Sequence, residues 1–246
     1  KKELDAKVFE LLGRMRELAQ LLRNRRMLRG ALELAMPEVK VDLDENGRVS
    51  GAHVVENTES HKIIEDFMLA ANEAVAERIH DQGWQLLRRI HEMPSPRKMT
   101  GLTEFVKELG IDVGSLQNRF ALQSLLRQVA DMPERDAVNY AVLRSFPQAV
   151  YSPVEEGHFA LAAEFYCHFT SPIRRYPDLT VHRLVDALID GTPPRNQSGE
   201  LVGLGEHCSQ RERRAEAAER ELTKVKLLTY METRIGDELD GVITGV

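Results

Sequence analysis

Apolar residues recur at helical spacing along the first 26 residues of the chain. One stripe at this spacing contains Val8, Leu11, Leu12, Met15, Leu18, Leu21 and Leu22. The spacing predicts a long amphipathic helix over residues 1–26. The polar face of this helix carries five arginines: Arg14, Arg16, Arg23, Arg25 and Arg26. This basic face is either exposed to solvent or forms one wall of a channel that binds a nucleic acid.

Alternating apolar and polar residues mark two short segments, 39–43 and 49–55. The residues between them, Asp44-Glu45-Asn46-Gly47, have the composition of a tight turn. This arrangement predicts a β-hairpin. We interpret Asp42 and Asp44 as strand-end and turn residues rather than as a metal-binding pair.

A second helical pattern follows this hairpin, with Ser60 as the expected N-cap. Its predicted buried face consists of Ile63, Ile64, Phe67, Met68, Ala71, Val75 and Ile79. Glu65 and Asn72 are polar residues close to that face. Each must either find hydrogen-bond partners within the core or line a cavity, where it is able to bond a ribose hydroxyl.

Further helical segments are predicted over residues 103–109, 116–129, 134–146, 181–189 and 204–231. Residues 94–97 are predicted to be a loop, and residues 192–199 a connector. The segment 204–231 has acids and bases at helical neighbour spacing, which is typical of a solvated, ion-paired face. Helices outnumber strands, so we expect a helix-rich α+β fold with a small antiparallel sheet.

The segment 161–183 is the most unusual part of the chain. Residues 161–169 are apolar and aromatic with few exceptions, which predicts a buried strand. The next residues have the composition of a helix start, a hydroxyl cap followed by proline: Thr170, Ser171 and Pro172. Pro177 has no N–H for a helical hydrogen bond, so the helix either kinks there or begins again at Pro177.

Arg174 and Arg175 stand where a helix start favours acidic residues, since its free N–H groups carry partial positive charge. Two guanidinium groups at a helix N-terminus are repelled by its partial positive charge and by each other, unless an anion lies between them. Phosphate is a suitable anion, because helix N-termini and paired arginines both bind it. The alternative is that the two arginines pair with nearby acids, namely Glu155, Glu156 or Asp178.

The composition is that of an ordinary soluble protein, with 246 residues, 42% hydrophobic and 29% charged. No apolar run approaches the roughly 20 residues needed to span a bilayer, and no secretory signal opens the chain. Cys167 and Cys208 have no metal-ligand spacing, and so few cysteines favour a reducing compartment, the cytoplasm. The net charge of −6 argues against coating of nucleic acid by bulk charge, although it is compatible with a local basic channel.

The segment from Tyr166 to Arg183 closely resembles the signature of the RNB family, the catalytic domain of ribonuclease II and ribonuclease R. Four other segments resemble the same family: 29–33, 64–73, 143–152 and 157–159. The likeness covers nearly the whole chain and is greater to ribonuclease R. It implies that residues 1–235 are the downstream part of an RNB catalytic domain and that residues 236–246 begin a truncated OB-fold.

The resemblance also implies roles for individual residues. Arg174 is implied to contact the phosphate near the scissile bond and to stabilise charge that develops in the transition state. Ser171, Arg175 and Tyr176 are implied either to hold the surrounding RNA backbone or to support that geometry. A family acid in the second helix is assigned to Glu65, with Asp66 as the alternative. The predicted RNA-binding set also includes Thr170, His168, Asn72 and Glu219.

Members of this family hold metal ions, usually magnesium, through a cluster of aspartates that this sequence does not contain. The chain is therefore expected to provide the arginine side of the site without metal ligands, and to be inactive alone. We interpret His168, Asp178 and His182 as residues that make hydrogen bonds within the fold rather than as ligands of a metal ion.

The activity that the resemblance implies is processive 3′-to-5′ hydrolysis of RNA. The partner would be the 3′ end of single-stranded RNA, the products nucleoside 5′-monophosphates, and no membrane would be involved. The alternative is a catalytically silent RNB-like scaffold that binds RNA or a protein.

Overall fold

The computed structural model describes residues 5–34, 36, 39–194 and 198–238. Within these ranges the strands form two separate antiparallel pairs, the first with the second and the third with the fourth. The predicted helix-rich α+β fold is confirmed, with two small sheets rather than one. The elements are α1 (Ala6–Leu28), β1 (Val39–Leu43), β2 (Val49–Val54), α2 (Glu59–Asp81), β3 (Arg88–Ile90), α3 (Pro96–Glu108), α4 (Arg119–Gln128), α5 (Arg135–Ser145), β4 (Val150–Ser152), α6 (Tyr176–Ile189) and α7 (Ser198–Glu232).

The larger hydrophobic core lies mainly among α3, α4 and α5. Helix α3 begins at Pro96 with Ser95 as its N-cap, so the loop predicted over 94–97 is wrong in its second half. Serine followed by proline is itself a helix start. The buried residues of this core are Met99, Leu102, Val106, Ile111, Leu116, Leu122, Leu125, Val129, Val138, Val142, Phe146 and Phe159.

A smaller core joins α2 to α6 and to the chain that precedes α6. It consists of the buried residues Ala76, Ile79, Leu86, Cys167 and Val181. Because it contains residues from both helices and from the arginine-containing segment, it determines where α6 begins relative to α2.

The strand predicted over residues 161–169 is wrong. Only isolated bridges occur near its beginning, and most of the segment is irregular. One of its carbonyls bonds to β3, where Arg89 N donates to Tyr166 O at 3.0 Å. The backbone turns at Ala162, whose φ is 52°, a conformation incompatible with an extended strand.

The helix after this segment begins at Tyr176 and not at Thr170. A turn over residues 172–174 precedes it. Pro177 and Asp178 both lie in the first turn of α6. Of the two predicted arrangements, the start at Pro177 therefore agrees with the structure to within one residue, and a kink at Pro177 does not occur.

Helix α1 is confirmed, but its predicted apolar face is not buried. Among its described residues only Ala19 is buried, and its side chains instead hold it to α2 by charge. The carboxylate of Asp66 in α2 accepts a hydrogen bond from Arg23 Nε at 2.8 Å and another from Arg26 Nη2 at 2.7 Å. Those two arginines are therefore largely buried and ion-paired with α2, unlike residues of a solvated basic face. The exposed large apolar residues of α1 are Val8, Phe9, Leu11, Leu12, Leu18, Leu21 and Leu28.

The β-hairpin is confirmed, and Asp42 bonds to His53 across it at 2.9 Å, as suits a strand residue. Helix α2 begins one residue before Ser60, and its N-cap is Thr58. Residues 239–246 lie outside the described residues, so the OB-fold strand over 236–246 and the domain boundary before it stay predictions. None of the helices in the described ranges is both long and apolar enough to cross a bilayer.

Candidate nucleic-acid interface

A short turn immediately before α6 presents Arg174. The backbone N–H groups of Arg174 and Arg175 donate to Ser171 O at 3.3 and 3.1 Å. Asp178, which is fully buried, holds both ends of this turn. Its Oδ1 accepts from Ser171 N at 2.8 Å and from Arg175 Nη2 at 2.7 Å. One carboxylate oxygen thus binds the backbone before Arg174 and the side chain of the residue after it.

The two adjacent arginines have different environments. Arg175 is ion-paired with Asp178, and its side chain is only 18% exposed, so the predicted pairing with a nearby acid occurs at this residue. Arg174 is exposed, and its guanidinium group makes no hydrogen bond or ion pair with any residue that the structure describes. Acid pairing, one of the two arrangements left open by the sequence, therefore applies to Arg175, whereas the guanidinium group of Arg174 is unpaired among the described residues.

Arg174 borders a cavity of about 810 Å³ between β4, the beginning of α6 and α7. Four predicted site residues line this cavity: Arg174, Arg175, Tyr176 and Glu219. Three further lining residues were assigned no role from the sequence, namely Tyr151, His207 and Arg211. Helix α7 follows the arginine motif only after a connector, so its position opposite Arg174 depends on the tertiary fold.

His168 supports the cavity wall at Tyr151. The Tyr151 hydroxyl and His168 Nδ1 share a hydrogen bond of 2.9 Å. Burial, together with the charges of Arg175 and Arg89, lowers the pKa of His168 to about 3, so the imidazole is neutral at pH 7. Burial also raises the pKa of Tyr151 to about 12. His168 does not itself line the cavity, so this placement favours a supporting role over direct contact with RNA.

Asn72 is buried within the fold, and its side-chain amide organises the chain before the arginine turn. Its Nδ2 donates to the Tyr166 hydroxyl at 3.1 Å, and its Oδ1 accepts from Phe169 N at 3.0 Å. The Cys167 thiol also approaches the Asn72 carbonyl, with 3.6 Å between sulfur and oxygen. Of the two predicted roles, these contacts favour a core polar residue with satisfied partners over one that meets a ribose.

The residues of the disfavoured metal arrangement make hydrogen bonds within the fold. His182 Nε2 donates to Phe169 O at 2.9 Å, and the two rings stack with their centroids 4.2 Å apart. Asp178 is bound to the arginine turn, and His168 to Tyr151. In the described ranges, no three His, Cys, Asp or Glu residues are grouped so as to hold a metal ion.

Glu65 and Thr170 are two further predicted RNA-binding residues that do not line the cavity. Glu65 is exposed on α2, whereas the adjacent Asp66 is buried against Arg23 and Arg26. Thr170 has a buried Oγ1 that bonds to no described residue. The roles of Glu65 and Thr170 in RNA binding stay predictions. Of the two neighbouring acids, only Glu65 is accessible to a ligand.

Comparison with known proteins identifies the family. A model of the RNB domain matches residues 1–191. The chain belongs to the RNB domain family. Ribonuclease R from Thermotoga maritima is 41% identical over 239 residues, which cover 94% of this chain and 34% of that protein. The chain spans about a third of the length of the curated relatives it matches.

The chain is also similar in fold to solved structures. RNase R from Mycoplasma genitalium in complex with double-stranded RNA matches with a TM-score of 0.92 at 27% identity, covering 100% of this chain and 45% of that one. Yeast Ssd1, a pseudonuclease, matches with a TM-score of 0.62 at 25% identity, covering 80% of this chain and 25% of that one. The resemblance inferred from the sequence is confirmed.

Proposed function

We propose that this chain forms the arginine side of the active site of a processive 3′-to-5′ hydrolytic exoribonuclease of the ribonuclease R type. The substrate is single-stranded RNA, taken from its 3′ end, and the products are nucleoside 5′-monophosphates. Membership of the RNB family and the likeness to ribonuclease R support this proposal. The proposal includes an OB-fold that begins in residues 236–246. It also includes a cytoplasmic location, which is favoured because Cys167 and Cys208 are free thiols.

The observation that carries the proposal is the free guanidinium group of Arg174 at a cavity edge. Hydrolysis of a phosphodiester places additional negative charge on the phosphate oxygens in the transition state. A guanidinium group binds two such oxygens at once, and a donor that is already oriented has little reorganisation to undergo when the charge develops. Asp178 contributes by restraining the turn from which Arg174 projects, because it accepts from Ser171 N and from the Arg175 side chain.

Other cavity residues suit a nucleotide strand. Tyr176 is 50% exposed, so its ring has a face on which a base can stack, and stacking on aromatic side chains is a general means of holding single strands. Arg183 lies over the same ring, with 5.9 Å between its guanidinium carbon and the ring centroid. Arg175, which is committed to Asp178, stabilises the turn rather than binding the strand directly.

Nucleases of the RNB family are metal-dependent in general, and we propose magnesium as the ion. The residues that the structure describes do not fit it, because they include no group of three or more suitable ligands. The ligands are therefore to be sought outside these residues, and the isolated chain is expected to be inactive.

A second candidate function is a catalytically silent RNB scaffold that binds RNA or a protein. The likeness to a pseudonuclease and the lack of a metal-ligand cluster in the described residues favour this candidate. The two candidates predict similar RNA binding but differ in turnover.

The test is single-turnover degradation of a 5′-labelled single-stranded RNA with magnesium, using the full-length protein that contains this chain. Arg174→Gln should slow cleavage by about 100–1000-fold and change RNA affinity far less. Arg97→Gln, which removes an exposed charge at the start of α3, is the matched control and should behave like the parent. Cleavage by Arg174→Gln at the parent rate would refute the assigned role, and no cleavage by the parent would favour the silent scaffold.

A further inference from the structure

The α7 side of the cavity carries both positive and negative side chains, and most of the negative ones are neutralised within the fold. Glu212 pairs with Arg89, with 2.6 Å between Oε2 and Nη1. Glu216 pairs with Arg220 one helical turn further along. These two carboxylates therefore contribute little net negative charge to the cavity.

Arg211 is different, because its charge has no partner among the residues that the structure describes. The residues three and four positions away from it on α7 are His207, Cys208, Arg214 and Ala215, and none of them is acidic. Side chains at these spacings are the ones that meet on a helix surface. Arg211 is exposed and makes no ion pair with any residue described in the structure, yet it lines the same cavity as Arg174.

Two uncompensated guanidinium groups on separate elements thus border one cavity of about 810 Å³. Like charges placed in this way repel each other unless a ligand with negative charge at two points enters between them. An RNA strand is such a ligand, since every nucleotide adds a phosphate. Glu219 lies two helical turns beyond Arg211, about 12 Å along α7. At that distance its carboxylate does not neutralise Arg211, so an anion can bind at the Arg211 end of the cavity.

We propose that Arg211 binds a second phosphate of the RNA strand, a different one from the phosphate held by Arg174. This inference rests on the proposed function and extends it to α7, which becomes the opposite wall of the strand-binding site. Arg211 increases affinity by neutralising a phosphate and does not act on the reacting atoms.

The test compares Arg211→Gln with Arg214→Gln in the full-length protein. Both arginines are exposed on α7, so neither substitution disturbs packing, but only Arg211 lines the cavity. Binding of a 5′-labelled single-stranded RNA is followed by fluorescence anisotropy in EDTA over a series of salt concentrations. The slope of log affinity against log salt should fall by about 0.7 for Arg211→Gln, which is the change for one phosphate on a single strand. Arg214→Gln should keep the parent slope.

A second experiment distinguishes the phosphate site at Arg174 from the one at Arg211. Adenosine 5′-monophosphate, which has a single phosphate, competes with the labelled RNA for binding. Arg211→Gln should leave this competition unchanged, whereas Arg174→Gln should weaken it. Equal salt slopes for Arg211→Gln and Arg214→Gln would overturn the proposal. Weaker competition in Arg211→Gln would also overturn it, because Arg211 would then share the phosphate of Arg174. Failure of the proposed function is detected separately, by the cleavage rate of Arg174→Gln.

Discussion

Asp178 determines which of two neighbouring arginines is available to an anion. Its buried carboxylate pairs with the guanidinium group of Arg175 and accepts a hydrogen bond from the backbone N–H of Ser171. The guanidinium group of Arg174 has no partner among the described residues. Two consecutive arginines in a sequence therefore do not act as equals here. Both arginines line the cavity, but Arg175 is ion-paired with Asp178 and stabilises the turn, whereas the guanidinium group of Arg174 has no partner among the described residues.

Asp178→Asn should destabilise this turn. The amide oxygen can still accept from Ser171 N, but the largely buried guanidinium group of Arg175 loses its counter-charge, and the loss of one partner from such a pair costs up to about 3–5 kcal/mol. We expect lower thermal stability and slower single-turnover cleavage than in the parent.

The double variant Arg175→Met with Asp178→Asn separates the structural role of Arg175 from a role in binding. It retains the acceptor for Ser171 N and removes both charges, so it should recover much of the lost stability and cleavage rate. A double variant that is stable but as slow as Arg174→Gln would show that Arg175 contacts the substrate.

Among the secondary-structure elements, α1 illustrates a helix that is held by charge rather than by its apolar residues. Asp66 of α2 has a side chain that is 2% exposed and bonds to two arginines of α1. Arg29, just beyond the end of α1, adds a pair with Glu73 at 2.8 Å. The position of α1 against α2 thus depends on a few long-range ion pairs.

Asp66→Asn should loosen α1 from α2, because Arg23 and Arg26 would remain partly buried without their negative partner. Hydrogen–deuterium exchange of peptides within residues 6–28 should become faster than in the parent. The adjacent Glu65→Gln, at an exposed position, is the control and should leave the exchange unchanged. Equal exchange in the two variants would show that the ion pairs do not hold α1.

The histidines of the molecule as a whole predict how its stability depends on pH. Burial lowers the pKa values of His158 and His168 to about 3 each, whereas an unfolded chain protonates histidine near pH 6.5. Unfolding therefore takes up protons below pH 6.5. The stability that these neutral side chains contribute is fully present above that pH and is lost as the pH falls towards 3.

We expect hydrogen exchange around residues 157–170, corrected for the intrinsic effect of pH, to accelerate between pH 7 and pH 5. His168→Gln, which cannot be protonated, should reduce this acceleration, and substitution of the exposed His207 by Gln should not. If parent and His168→Gln respond equally to pH, buried histidine is not the cause.

Much of the architecture could be predicted because it is specified by residues close together in sequence. Periodicity identified α1, α2, α4, α5 and α7, alternation identified the β1–β2 hairpin, and the arginine motif indicated the family and the beginning of the site. The incorrect strand over 161–169 shows the limit of such patterns. An apolar run indicates burial, but the direction of the backbone there depends on hydrogen bonds to β3.

The sequence by itself determined which segments are helical and which residue types are able to bind a phosphate. Only the tertiary structure decided that Arg174 is free, that Asn72 bonds to Tyr166 ninety-four positions away, and that α7 brings Arg211 to the same cavity. The physical reason is that helix formation depends on neighbours a few residues apart, whereas the burial and neutralisation of a side chain depend on whatever the fold places against it.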